Sequence, residues 1–260
     1  MPSYTANDTS TLTDKERFMR ICNDVFHSEK HLDGGIGTLS EKTLHAALKI
    51  FLEEDISCHE IKCGRYVADI KKGDEIIEIQ TAGFNKLRGK LNAFLPDNKV
   101  TICYPIPHIK RLLWINPEDG TIEGPRKSPK TGSIYNCFFE LYKISSFLTH
   151  PNLSLCLVLI DLDEYRCLNI KGRNAKQHTV RYERIPTALH DICFIKDHTR
   201  FDKLVPPNLS DTFTSKDFAK EAKITRHHAQ TALNILTQTG TVLRVDKKGN
   251  EIVYTMGKRT

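Results

Sequence analysis

His59-Glu-Ile-Lys-Cys-Gly-Arg-Tyr-Val-Ala-Asp69-Ile-Lys-Lys-Gly-Asp-Glu-Ile-Ile-Glu78-Ile-Gln80 is the stretch on which the fold turns. It reads as three short strands at about 58–63, 65–71 and 75–80, the last two joined by the turn Lys72-Gly73-Asp74. Side chains alternate along a strand, so Glu78 and Gln80 project to one side and Ile79 to the other. In-register pairing sets Asp69 beside Glu78. Two carboxylates held together in this way make a binding place for a hard divalent cation.

Working outward, Ser40 caps a helix from Glu41 to Leu52 whose Leu44, Leu48 and Phe51 form one apolar stripe. After Thr81-Ala-Gly, a second helix runs from Phe84 to Phe94, with Phe84, Leu87, Leu91 and Phe94 inward. Lys86, Arg88 and Lys90 spread over the remainder of that helix. Val100-Thr-Ile-Cys-Tyr-Pro105 reads as a buried strand closed by its proline. Residues 106–132 read as an inserted hairpin about Pro117-Glu-Asp-Gly120, followed by a helix from Ser133 to Leu148 and an apolar strand from Leu153 to Leu162. The run Ile160-Asp-Leu-Asp-Glu-Tyr165 is expected to be the solvated end of that strand. Upstream, Thr13 and Glu16 have capping-box spacing for an amino-terminal helix.

Pro206-Pro207 interrupts regular structure and marks a boundary. Beyond it, Thr214 caps a short helix, Lys223-Ile-Thr225 turns the chain, and Thr225 caps a longer helix from Arg226 to Gln238. Val242–Val245 and Glu251–Tyr254 then form a hairpin. Helix, turn, helix and hairpin in that order describe a winged helix. Its second helix would present Arg226, His227, Gln230 and Asn234 to DNA, with Lys247 and Lys248 of the wing on a neighbouring phosphate. The division expected is an amino-terminal helical extension at 1–37, an α/β domain at 38–205 and a winged helix at 208–260.

The chain has 260 residues, 39% hydrophobic and 27% charged, which suits one sizeable core with a smaller second domain. No apolar run approaches the roughly 20 residues of a spanning helix. With no secretory pattern at the start, a cytoplasmic protein without a membrane partner is expected. Eight cysteines occur without a Cys-x-x-Cys pair, and most sit in apolar patterns, as core residues rather than zinc ligands. The net charge is +6. From 211 to 260, nine Lys and Arg stand against five Asp and Glu, so most of the excess lies in the last fifth of the chain and favours a polyanion.

Residues 39–105 resemble the PD-(D/E)XK, or restriction-endonuclease-like, nuclease superfamily, whose core runs helix, three-stranded meander, helix, strand. The resemblance matches the family's acidic residue on the second strand to Asp69 and its E-x-K to Glu78-Ile79-Gln80. Glu41 would be the further acid on the preceding helix. It implies an α/β αβββαβ core binding Mg²⁺ or Mn²⁺ through Glu41, Asp69 and Glu78. Gln80 departs from the family, which most often has lysine there. Glutamine can orient water but brings no positive charge, and Lys90, or less readily Lys86, is long enough to supply one.

The function expected is therefore metal-dependent cleavage of phosphodiester bonds in duplex or branched DNA, with Asp69, Glu78, Gln80 and Lys90 at the site. Cutting both strands calls for a homodimer or two binding events. The alternative is a nuclease fold without catalysis, serving as a DNA-binding regulator or as an accessory subunit of a defence or mobile-element system. Gln80 is the feature that favours it.

Overall fold

The computed structural model describes residues 13–30, 42–169 and 178–257. The chain is mixed α/β, with one large mixed sheet and few helices. Packing divides the described residues into two compact units, a smaller one drawn from the ranges 1–54, 110–128 and 161–190 and a larger one drawn from 55–109, 129–160 and 191–260.

In the smaller unit, α1 (Asp14–Lys30) and α2 (Lys42–Leu52) pack through their apolar stripes. Phe18 and Phe51 meet edge to face with ring centres 5.2 Å apart. The capping box is present: Glu16 accepts from the Thr13 N–H at 2.9 Å, and the Thr13 hydroxyl accepts from the Glu16 N–H. The strands of this unit belong to β4 (Lys99–Ile115), β5 (Ile122–Lys127), β6 (Leu153–Asn169) and β7 (His178–Ile195). The expected hairpin turn lies between β4 and β5, whose register runs from Arg111 opposite Lys127 to Ile115 opposite Ile122.

The larger unit holds the meander β1 (His59–Cys63), β2 (Tyr66–Lys72) and β3 (Glu75–Ile79). Gly73 takes the left-handed conformation, φ +59°, that the tight β2–β3 turn needs. A single 3₁₀ turn, Phe84–Leu87, leads into α3 (Arg88–Phe94), and β4 returns parallel to β3, Glu75 opposite Lys99 and Ile79 opposite Cys103. The strand order is β1-β2-β3-β4-β6-β7, with β5 on β4. Phe84, Leu87, Leu91 and Phe94 are all buried, as their spacing requires.

The same core continues into the carboxy-terminal segment. There, β8 (Thr212–Thr214), α5 (Ser215–Glu221), α6 (Arg226–Gln238), β9 (Val242–Lys248) and β10 (Glu251–Met256) follow, with strand order β8-β10-β9. Thr214 and Asp217 form a capping box, and the Thr225 hydroxyl caps α6. Ala229, Ala232, Leu233 and Leu236 are buried. So is His228, whose ring stacks on Phe139 at 4.2 Å and whose Nε2 lies 2.8 Å from the Tyr135 carbonyl.

Several expectations are corrected. The strand from Val100 does not stop at Pro105. Pairing with β3 ends at Cys103, so the missing N–H of proline falls where that partner has already left, and the strand runs on to Ile115. The helix expected from Ser133 to Leu148 is three pieces: a 3₁₀ turn, α4 (Phe138–Tyr142), and a further 3₁₀ turn at Ser145–Phe147. The break falls at Lys143–Ile144, just before two serines that compete with helical bonding. β6 continues past Leu162 to Asn169, and β7 and β8 were not foreseen. Glu164 is fully buried within β6 rather than solvated at its end. Among the described residues, no helix is long and apolar enough to cross a membrane.

Candidate functional site

Asp69 on β2 and Glu78 on β3 are brought together. The β2–β3 ladder pairs Ile70 with Ile77, and the two acids stand one step beyond that pair. There the ladder gives way to side chains: the Asp69 carboxylate accepts the Ile79 N–H at 2.7 Å. Glu78 is 2% exposed, and Lys90 of α3 donates to its Oε2 at 2.6 Å. Its Oε1 is buried and accepts no hydrogen bond from a described residue. Burial and the neighbouring Asp69 charge push the Glu78 carboxyl up to about 7, against the pull of Lys90.

Two carboxylates, one with an unsatisfied buried oxygen, make a donor set that fits a hard divalent cation. A cation there would offset the repulsion that raises Glu78. Gln80 is turned differently: its side-chain amide donates to the Ala82 carbonyl in its own loop, and its N–H bonds the Cys103 carbonyl at 2.9 Å. Lys86 is exposed on the 3₁₀ turn. Glu41 lies outside the described residues.

In the carboxy-terminal segment, Arg226, His227, Gln230 and Asn234 are exposed on α6, and Lys247 and Lys248 are exposed on β9. Arg226 is held by Glu251 at 2.9 Å, a carboxylate it shares with Lys216. Glu251 therefore fixes the guanidinium at the start of α6 while leaving it nearly half exposed.

Sequence reading missed a second charged cluster, in the smaller unit. Glu164 is surrounded by Arg166 at 2.6 Å, Arg184 at 3.2 Å, Lys110 at 3.5 Å and Arg181 at 3.8 Å. Burial alone would raise its carboxyl, yet Arg166, Lys110 and Arg184 hold it below the usual range. The signal available was Glu164-Tyr-Arg166 followed by Arg181 and Arg184, but only long-range pairing of β4, β6 and β7 assembles it.

An uncharacterized protein of Treponema pallidum (strain Nichols) is 29% identical over 226 residues, covering 84% of this chain and 86% of its own. No solved structure gives a significant match. Residues 42–196, more than half of the sequence, match the family described as Domain of unknown function (DUF8091), and the chain belongs to that family.

Proposed function

We propose that this chain is a divalent-metal-dependent nuclease acting on DNA, with a restriction-endonuclease-like core and a winged helix. The observation that carries the reading is the Asp69–Glu78 pair with Lys90 hydrogen-bonded to Glu78 and one Glu78 oxygen unsatisfied. The meander, the helical crossover and the parallel β3–β4 pair support the core.

Asp69 and Glu78 would hold Mg²⁺ or Mn²⁺, with Glu41 as a further ligand from the sequence. When bound, such an ion lowers the pKa of water and neutralises charge on the phosphoryl oxygens. The protein's own part is positional. The Ile79 N–H orients the Asp69 carboxylate, and Lys90 keeps a positive charge beside the pair. That charge can stabilise a developing oxyanion from a place where lysine is absent on β3. Gln80, engaged with Ala82, would have to turn before it could orient water. Exposed Arg226, Gln230 and Asn234 on α6, and Lys247 and Lys248 on β9, support duplex or branched DNA as the partner. A homodimer would supply the second cut.

Mg²⁺ and Mn²⁺ titrated against labelled plasmid and single-stranded DNA test the reading. Cleavage by the native chain and its loss in Asp69→Ala, with DNA binding kept, is the expected result. Equal cleavage by a folded Asp69→Ala protein removes the assignment. The Gln80–Ala82 bond favours a second reading, a nuclease fold that binds DNA without cutting it; binding with no metal-dependent cleavage would select it.

A further inference from the structure

The Glu164 cluster is a part of the molecule that the proposed activity leaves unused. Four cationic groups lie within 4 Å of this one carboxylate. The nearby Asp163 is held by Arg111, which bonds both of its oxygens, at 2.6 and 2.8 Å. Glu183 is buried and bonded by Thr43 of α2 at 2.6 Å. Burial and the charges of Arg166 and Arg184 lower Lys110 from its usual value, against the attraction of Glu164.

Around this centre the basic surface extends along strands. Arg126 is exposed on β5, opposite Leu112 of β4. The Arg166 guanidinium also lies over Trp114, 6.0 Å from the ring centre. Cations strung along a sheet beside an aromatic ring are the chemistry that holds a phosphodiester strand, with the backbone on the charges and a base against the ring. A buried carboxylate at the centre keeps the guanidinium groups oriented before the strand arrives.

We propose that the β4–β5–β6–β7 region of the smaller unit binds the phosphate backbone of a single nucleic-acid strand. Lys110, Arg166, Arg181 and Arg184, oriented by Glu164, meet phosphates; Arg126 extends the track; Trp114 stacks a base. This stands apart from the nuclease reading, since it requires neither metal nor cleavage.

Trp114 is the only tryptophan of the chain, so its fluorescence reports on this site alone. The full-length protein in EDTA is titrated with a single-stranded oligonucleotide, and separately with inorganic phosphate. The strand is expected to quench Trp114, with an affinity that falls steeply with salt. Arg126→Gln together with Arg181→Gln, both at exposed positions, should weaken that binding about tenfold and reduce the salt slope by about two. Lys15→Gln with Lys62→Gln, exposed positions outside both proposed sites, should leave the strand-induced quench in place. An unchanged Trp114 signal, or double-variant binding equal to the native chain, overturns the proposal. So does phosphate binding as tightly as the strand, which would make this a site for the free anion. Since these titrations run in EDTA and cleavage is assayed separately with Mg²⁺, failure here is distinguishable from failure of the nuclease reading.

Discussion

Lys90 Nζ stands 2.6 Å from Glu78 Oε2, joining the helix after the meander to the strand that carries the second acid. Removing Lys90 leaves a buried carboxylate without its cation. Lys90→Ala should cost roughly 2 kcal/mol at pH 8, less than a fully sealed pair because Glu78 can take up a proton instead. In Lys90→Ala/Glu78→Gln the loss should shrink. Urea denaturation of the two variants beside the native chain measures both.

The raised Glu78 carboxyl fixes the sign of a pH dependence. Its value lies at about 7 in the fold against an ordinary 4.5, so the folded state holds the extra proton. That contribution is fully present below pH 4.5 and is lost as pH rises through about 7, by at most about 3 kcal/mol. Metal-free stability curves should show the loss and Glu78→Gln should flatten it. Added Mg²⁺ should restore stability at pH 8 in the native chain but not in Asp69→Ala.

Gly89 on α3 gives a prediction about packing. A Cβ there would lie 2.5 Å from the Tyr66 hydroxyl, whose ring is set edge-on to Phe94 at 6.0 Å. Gly89→Ala gains about 1 kcal/mol of helix propensity but must displace that ring, for a net loss of about 1–2 kcal/mol. Thermal unfolding of Gly89→Ala in a Tyr66→Phe background should recover most of it. No recovery would show that Tyr66 does not set the cost.

His228 titrates in the opposite sense. Burial lowers it below its usual value, and the His227 charge adds to this, against the bond to the Tyr135 carbonyl. Its neutral form therefore stabilises the fold above about pH 6.5, and that contribution is lost as pH falls below it. NMR titration of the ring protons should find His228 charging below the ordinary histidine value. His228→Phe, which keeps a ring against Phe139, should reduce the acid sensitivity.

Local signals were legible where one element could be judged alone. Thr13, Thr214 and Thr225 mark helix starts through hydroxyl bonds to the next turn, and the stripe Phe84, Leu87, Leu91, Phe94 names its buried face. Asp69 and Glu78 could be found because a two-residue turn, Gly73-Asp74, sets their strands side by side. Lys90 was reachable for a related reason, since α3 begins only a few residues after β3. What stayed hidden depends on pairing at long range. β7 carries Arg181, Glu183 and Arg184, which meet Glu164 on β6 and Thr43 on α2. Pro105 misled because a proline stops a strand only where a neighbour still needs its N–H. Gln80 could be recognised as a departure, but its turn toward Ala82 could not be read from residue type.

The contact of α6 with Tyr135 and Phe139 bears on how this protein can change over evolution. A segment with its own core can be exchanged between proteins as a cassette; one whose helix rests a histidine on another element's phenylalanine cannot. Recombination near Pro206-Pro207 would cut through shared packing, so descendants should inherit the meander and the carboxy-terminal segment as a single block.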